Sequence, residues 1–216
     1  MKTIDAKAQD LKAVNRRLRG SLNGQPVIVK NVSHLHGLAA GLKHGEVVVQ
    51  GNAGDYLGVL NAGATIKVTR NAGKYVADNM TAGTVIVEGS AEYGAAQYCY
   101  GGTVVVRGDA GDFTATMNKG ATIIVTGNIG REAGTYMLKG DLIVVGNADE
   151  NFANYLIRGN VYIAGEWARL GHNTRVEPLT DEDVTKLRAL FGKYEINAVP
   201  TTFKKIVAAS EKPFYN

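Results

Sequence analysis

An apolar triplet recurs every 19 residues, eight times between residues 28 and 163, and this spacing constrains the fold more than any other feature of the 216-residue chain. The series runs from Ile28-Val29-Lys30 through Val47-Val48-Val49 and Val104-Val105-Val106 to Val161-Tyr162-Ile163, with only Lys30 and Lys67 interrupting it. Internal repetition at a short fixed period means a solenoid, in which each unit buries its apolar face against its neighbours.

Glycine keeps step with the triplets. It follows most of them at one phase, as Gly51, Gly89, Gly108, Gly127, Gly146 and Gly165, with Arg70 standing where the second is due. Gly54, Gly111 and Gly130 close short Gly-x-x-Gly turns, and a small residue recurs inside them at Ala53, Ala72, Ala91, Ala110 and Ala148, as a narrow interior corner requires. Another glycine precedes each triplet, from Gly45 to Gly159, but its spacing wobbles between 18 and 20. Strand stacking is therefore expected to be invariant while the turns absorb the slack.

Valine and isoleucine dominate the triplets, and β-branched residues favour extended backbone. Glycines on both sides would weaken a helix by about 1 kcal/mol each relative to alanine. The predicted fold is all-β, a single-stranded parallel β-helix of seven to eight coils, with equivalent strands about 4.8 Å apart and a core roughly 35 Å long. Equivalent side chains then form ladders. Asn52, Asn71, Ser90, Asp109, Asn128, Asn147 and Glu166 read as a turn ladder bonding its own backbone. Tyr56, Tyr75 and Phe113 share one aromatic phase, and Tyr98, Met117, Tyr136 and Tyr155 another; such rings are expected to be stacked core, with a partner interface as the second reading.

The flanks read as caps for the open sheet edges. Residues 1–25 are predicted to form an N-terminal cap, residues 26–175 the β-helix, and residues 176–216 a C-terminal helix and tail. Asp5 is the expected N-cap of a helix running to Arg19, with Leu11, Val14 and Leu18 on one face. Thr180 is the expected cap of a second helix, with Val184, Leu187 and Phe191 as its apolar stripe. The last twenty residues read as a gripping tail with a short helix near Phe203 to Ala208.

The composition, 45% apolar and 20% charged, suits one domain with a sufficient core. With no apolar run of membrane length and no signal-type segment at the N-terminus, the expectation is a cytoplasmic protein. A net charge of +4 reads as solvated ends rather than a nucleic-acid face. One cysteine, Cys99, excludes an internal disulfide and an all-cysteine iron-sulfur site.

Chemistry is hard to find. Cys99 lies between two tyrosines with no recognisable base, so it reads as a small buried hydrophobe. His34 and His36, two apart on a presumed strand with His44 nearby, could begin a metal site, but no further ligand completes it. Arg70, in a glycine position and followed by Lys74, Asp78 and Asn79, reads as a surface residue or a docking point. The glycine turns lack the Gly-Lys-Ser/Thr of a phosphate loop. No catalytic, cofactor-binding or metal residue is therefore expected in this chain; Arg70, Tyr98, Tyr136 and Tyr155 are the candidate interface.

The repeated turn, seen as Gly51-Asn52-Ala53-Gly54, Gly108-Asp109-Ala110-Gly111 and Gly127-Asn128-Ile129-Gly130, resembles the glycine-repeat (GXGXG) domain at the C-terminal end of the glutamate synthase large subunit. Similar repeats form stand-alone subunits of split glutamate synthase-like enzymes and of formylmethanofuran dehydrogenase. The resemblance covers about residues 26 to 175. It implies a right-handed β-helix that is not itself catalytic and packs between an amidotransferase-like subunit and an FMN-dependent synthase-like subunit. FMN and an iron-sulfur cluster would sit on that partner. Length and ends, including Lys212-Pro213-Phe214-Tyr215, lean toward the β-helix subunits of methylamine-glutamate N-methyltransferase. A carbohydrate-active or carbohydrate-binding β-helix is the rival reading, but its coils are normally longer and less regular and it normally carries an export signal. The left-handed acyltransferases with six-residue repeats do not fit a 19-residue coil.

Overall fold

The computed structural model describes residues 2–212, so Pro213, Phe214 and Tyr215 of the tail lie outside the described residues. Strand Lys2–Asp5 (β1) and helix Leu11–Arg19 (α1) precede eight strands of the repeat: Val27–Lys30 (β2), Glu46–Gln50 (β3), Ala62–Val68 (β4), Ala82–Val87 (β5), Thr103–Val106 (β6), Lys119–Val125 (β7), Lys139–Val144 (β8) and Asn160–Ile163 (β9). Then follow Thr174–Glu177 (β10), helix Asp181–Lys193 (α2), a 3-10 turn at Pro200–Thr202, and Lys204–Ala208 (β11). Strands β1 to β9 pair in parallel in sequence order, which makes the chain a β-solenoid. No helix of the described residues is long and apolar enough to cross a membrane.

From β3 onward equivalent residues stand 19 apart, as in Val47 opposite Ile66 and Val104 opposite Ile123. The first coil departs from that period. Val27 faces Val47, so the first buried pair is Val27 and Val29 rather than the Ile28 phase, and this coil is one residue longer. The inward residues of each strand are fully buried and stack into one core that runs the length of the rod.

Opposite the sheet, each coil carries a run in which left-handed residues alternate with right-handed ones. Examples are Tyr75, Ala77 and Asn79, then Phe113, Ala115 and Met117, then Asn151, Ala153 and Tyr155, with φ between +49° and +61°. Alternation turns successive N–H groups toward opposite neighbours: Tyr75 N–H donates to Tyr93 O on the next coil, Ala77 N–H to Leu57 O on the previous one, and Asn79 N–H to Gln97 O on the next. A left-handed non-glycine residue costs about 1–2 kcal/mol. Hydrogen bonds to both neighbouring coils offset that cost, and the middle residues Ala77, Ala96, Ala115 and Ala153 are small enough to pack with no exposure.

The wobble of the glycine before each strand has a cause. In two coils a buried asparagine braces the turn. Asn61 accepts the Ala64 N–H and donates to Ala64 O; Asn118 does the same with Ala121, at 2.9 Å for both bonds. There the glycine moves one position earlier, to Gly63 and Gly120, with φ near +150° and a bulge in the ladder beside it. Coils with Met80, Cys99, Met137 or Leu156 at that site use a glycine with φ from +84° to +92° instead.

Both flanks correct the sequence reading. Asp5 belongs to β1, which pairs with β2 and extends the sheet; Asp10 is the N-cap of α1, accepting the Ala13 N–H at 2.9 Å. The C-terminal tail is not a helix at Phe203 to Ala208. It is β11, inserted antiparallel between β9 and β10 so that the last coil's edge is paired. Helix α2 keeps its Thr180 cap, in a capping box with Asp183. It lies on the outside of the sheet, where Leu187 and Phe191 join Tyr194, Ile196 and Phe203 in a second core over Val105, Ile124, Ile143 and Tyr162. Val184 is only half-buried, and the capping Asp183 takes its place inside.

Asp183 accepts from the Tyr162 hydroxyl at 2.6 Å and from Lys205 Nζ at 2.9 Å and 3.0 Å. Burial alone would raise its carboxyl. The donors Tyr162, the Thr180 N–H, Lys205 and the Thr180 hydroxyl reverse this and hold it well below the usual range. The same contact works on Tyr162, whose phenol is pushed far up by burial and by bonding to the Asp183 carboxylate.

Asn118→Ala should lower stability by about 1–3 kcal/mol in urea unfolding, because it strands the buried Ala121 N–H and C=O; an unchanged midpoint would show that the turn needs no brace. Asp183 has a depressed folded pKa, so its stabilisation is full above about pH 5 and fades as the pH falls through 4 toward the folded value. Asp183→Asn should therefore be less stable than the parent at pH 7 and show a flatter stability profile between pH 5 and pH 3 in chemical denaturation.

Candidate functional site

The turn ladder is committed to structure. Each side chain from Asn52 to Asn147 accepts the backbone N–H of its equivalent on the next coil: Asn71 N–H to Asn52 Oδ1 at 3.2 Å, Ser90 to Asn71 at 2.9 Å, Asn128 to Asp109 at 2.7 Å and Glu166 to Asn147 at 2.9 Å. The bond thus runs between coils and not within one turn as the sequence suggested. Asp55 and Asp112 repeat it on a second column, accepting the N–H of Lys74 and of Arg131. These oxygens explain the glycines. A Cβ at Gly127 would press on Asp109 Oδ1, and one at Gly130 on Asp112 Oδ1, well inside contact distance. Gly54, Gly89, Gly108, Gly111, Gly146 and Gly165 are equally confined by the coil beside them, whereas Gly51 faces open space and is required by its φ of +106°.

The aromatic ladders lie outside the coil and not in its core. Tyr56 and Tyr75 stack at 4.7 Å with planes 18° apart, Tyr93 meets Tyr75 at 5.5 Å, and Phe113 meets Tyr93 at 5.2 Å. Tyr93 escapes a strict 19-residue reading because Gly94 holds its phase. Glycine is required at 94, where a Cβ would sit 2.7 Å from the Tyr75 ring, and the neighbouring Tyr93 supplies the missing rung. On the second column Tyr136 stacks on Tyr155 at 5.4 Å, and Tyr155 meets His172 at 4.9 Å. Tyr98 is not part of that stack. It neighbours Lys119, whose ammonium lies 4.2 Å over Tyr100 and bonds its hydroxyl at 2.9 Å. Arg70 is exposed in the turn after β4, next to the turn-ladder residue Asn71, and its side chain has no partner among the described residues.

Four large apolar side chains on this wall are substantially exposed: Tyr56 at 40%, Leu60 at 55%, Tyr93 at 38% and Tyr100 at 55%. Exposed tyrosine is enriched at protein interfaces. Sugar platforms work differently, since they offer open ring faces. Here Tyr56 covers Tyr75 and Tyr136 covers Tyr155 face to face.

The candidate reactive groups are already occupied. Cys99 is fully buried, donates to Ala77 O at 3.2 Å, and has its thiol pushed up to about 12 by burial. His34 and His36 lie in a turn and not on a strand; His36 Nδ1 accepts the Asp55 N–H at 3.1 Å and His34 Nε2 lies 3.3 Å from Gln9 O. Among the described residues no three His, Cys, Asp or Glu side chains come together as a metal site. Burial raises the Asp78 carboxyl, and bonds from Asn79 only partly offset it.

The family model described as GXGXG motif matches residues 9–209, from the start of α1 to the end of β11. No curated protein matches the chain at the level that marks a relative. Cys99 should react with a thiol reagent at pH 8 at least about a hundredfold more slowly in the native protein than in urea, since the thiolate is scarce and shielded; equal rates would overturn its burial.

Proposed function

The chain belongs to the GXGXG family, and from that premise we propose that it is the non-catalytic β-helix subunit of a glutamate synthase-like complex, specifically methylamine-glutamate N-methyltransferase. The complex would form N-methylglutamate from methylamine and glutamate and release ammonia. This chain would be a spacer between an amidotransferase-like subunit and an FMN-dependent synthase-like subunit in the cytoplasm. The flavin and the iron-sulfur cluster would be carried by the latter.

The observation that carries this reading is the extent of the family match, which takes in every strand from β2 to β11 and both helices and leaves only β1 outside. Two physical features support it. Coil-to-coil hydrogen bonds from backbone and side chains run along the whole rod, which suits a part that fixes a distance. The tyrosine wall and Arg70 provide surface for partner chains. The β-helix subunit of a split glutamate synthase or of formylmethanofuran dehydrogenase is the same reading with other partners. A carbohydrate-binding role is disfavoured by the face-to-face stacking of the ladders.

Native purification of the tagged chain from its source cell tests the proposal. Recovery with two larger chains and a flavin spectrum is the expected result, and methylamine-dependent formation of N-methylglutamate then selects the complex. A lone colourless chain would overturn the scaffold role. Tyr136→Ala and Arg70→Ala should each weaken retention of partners by about tenfold, as truncated anchor residues do, without changing turnover in the complex that remains. Intact assembly with altered turnover would count against it.

A further inference from the structure

The +4 charge is not spread along the rod. Residues 1–46 contain eight Lys and Arg against three acids, a net of +5; residues 47–216, with sixteen against seventeen, carry −1. Pairing follows the same divide. Nine of the sixteen downstream cations sit in ion pairs, such as Lys67 with Glu88 and Lys205 with Asp183. Upstream, among the described residues, only Lys30 does, with Asp5 at 3.6 Å. Lys12, Arg16 and Arg19 stand at i, i+4 and i+7 on the exposed side of α1, a helix with no acidic residue in it.

At the C-terminal end of α1 this ridge runs into a cavity of about 300 Å³ lined by Arg19, Leu22, Gly41, Leu42, Lys43 and His44. Arg19 is anchored by one hydrogen bond to Ala40 O at 2.8 Å, which leaves most of its five donors free. Lys43 and His44 are exposed, and their side chains have no partner among the described residues. Leu42 is buried beneath them, and Leu22 packs over Gly45, so close that a Cβ there would lie 2.8 Å from Leu22 Cδ2. The negative end of the helix dipole accounts for arginines in the last turn of α1. It does not account for Lys43 and His44, which arrive from the next coil and converge with Arg19 over an apolar floor.

We propose that this cavity binds a small organic carboxylate, preferably a dianion with a short hydrocarbon stem. Arg19 and Lys43 hold the carboxylates through charge-assisted hydrogen bonds, Leu22 and Leu42 take the stem, and His44 lies at the rim. A nucleic-acid strand fits poorly. The first Phe, Tyr or Trp in the chain is Tyr56, so at this end only imidazoles could stack on a base.

The test uses the full-length chain alone, so its outcome does not depend on the assembly proposed above. Histidine-labelled protein at roughly 50 mM ionic strength, where screening is weak, is titrated with succinate, inorganic phosphate or butane-1,4-diol while the His44 imidazole resonance, assigned through His44→Gln, is followed. Saturation with succinate is expected, with phosphate at least threefold weaker and the diol silent. Lys43→Met should weaken succinate about tenfold at an unchanged melting temperature, and Arg19→Ala should do likewise. Lys43→Met guards against the chance that Arg19→Ala loosens the α1 contact with Ala40. A linear, unsaturated response, or saturation indifferent to Lys43→Met, would overturn the site. Equal binding of phosphate would overturn the stem preference, and binding of the diol the requirement for an anion.

Discussion

The fold depends on hydrogen bonding between coils held at a constant register. A parallel ladder tolerates no slippage when one face is buried, because a one-residue shift would turn every inward valine outward. Here the register is fixed at more than the strand. Asn71, Asp109, Asn128 and Asn147 tie each turn to the next through side-chain oxygens, and the alternating runs tie the opposite wall through backbone N–H groups aimed both ways. Each coil is thus bonded to its neighbours around its circumference, and insertions can be absorbed only where nothing is shared.

That constraint determines where glycine must stand. One set lies where a neighbouring coil's oxygen leaves no room for a Cβ, as at Gly127 and Gly130. Another supplies positive φ before the strand, and its position depends on whether an asparagine braces the turn. The same constraint puts tyrosine at left-handed positions on the outer wall. Rings one coil apart stack on each other there.

The ends solve the edge problem by different means. At the start, β1 and α1 form a longer coil, with Asn15 pinning the helix through bonds to Gly37 O and the Ala39 N–H. At the finish, β11 and β10 reverse direction and cover the edge of β9, while α2 is held on the outer face by Tyr162, Asp183 and Lys205. The two ends consequently differ in character. One is a basic surface with few ion pairs, the other a cap whose cations are largely paired.

The sequence by itself determined the parallel solenoid, the 19-residue coil, the glycine columns and the Thr180 cap, because each arises from a local preference repeated often enough to be unmistakable. It did not place the aromatic ladders, since periodicity reports which residues share a column and not whether that column faces in or out. It did not place Phe203 to Ala208 either: whether Lys204-Lys205-Ile206-Val207 becomes helix or strand depends on the open edge of β9, which exists only once the coils are stacked. The apolar middle residue of each triplet is the clearest case. Val105, Ile124 and Ile143 point outward like Val48 and Ile86, yet are fully buried because α2 lies over them, and only the tertiary structure decides where a helix that begins at Asp181 comes to rest.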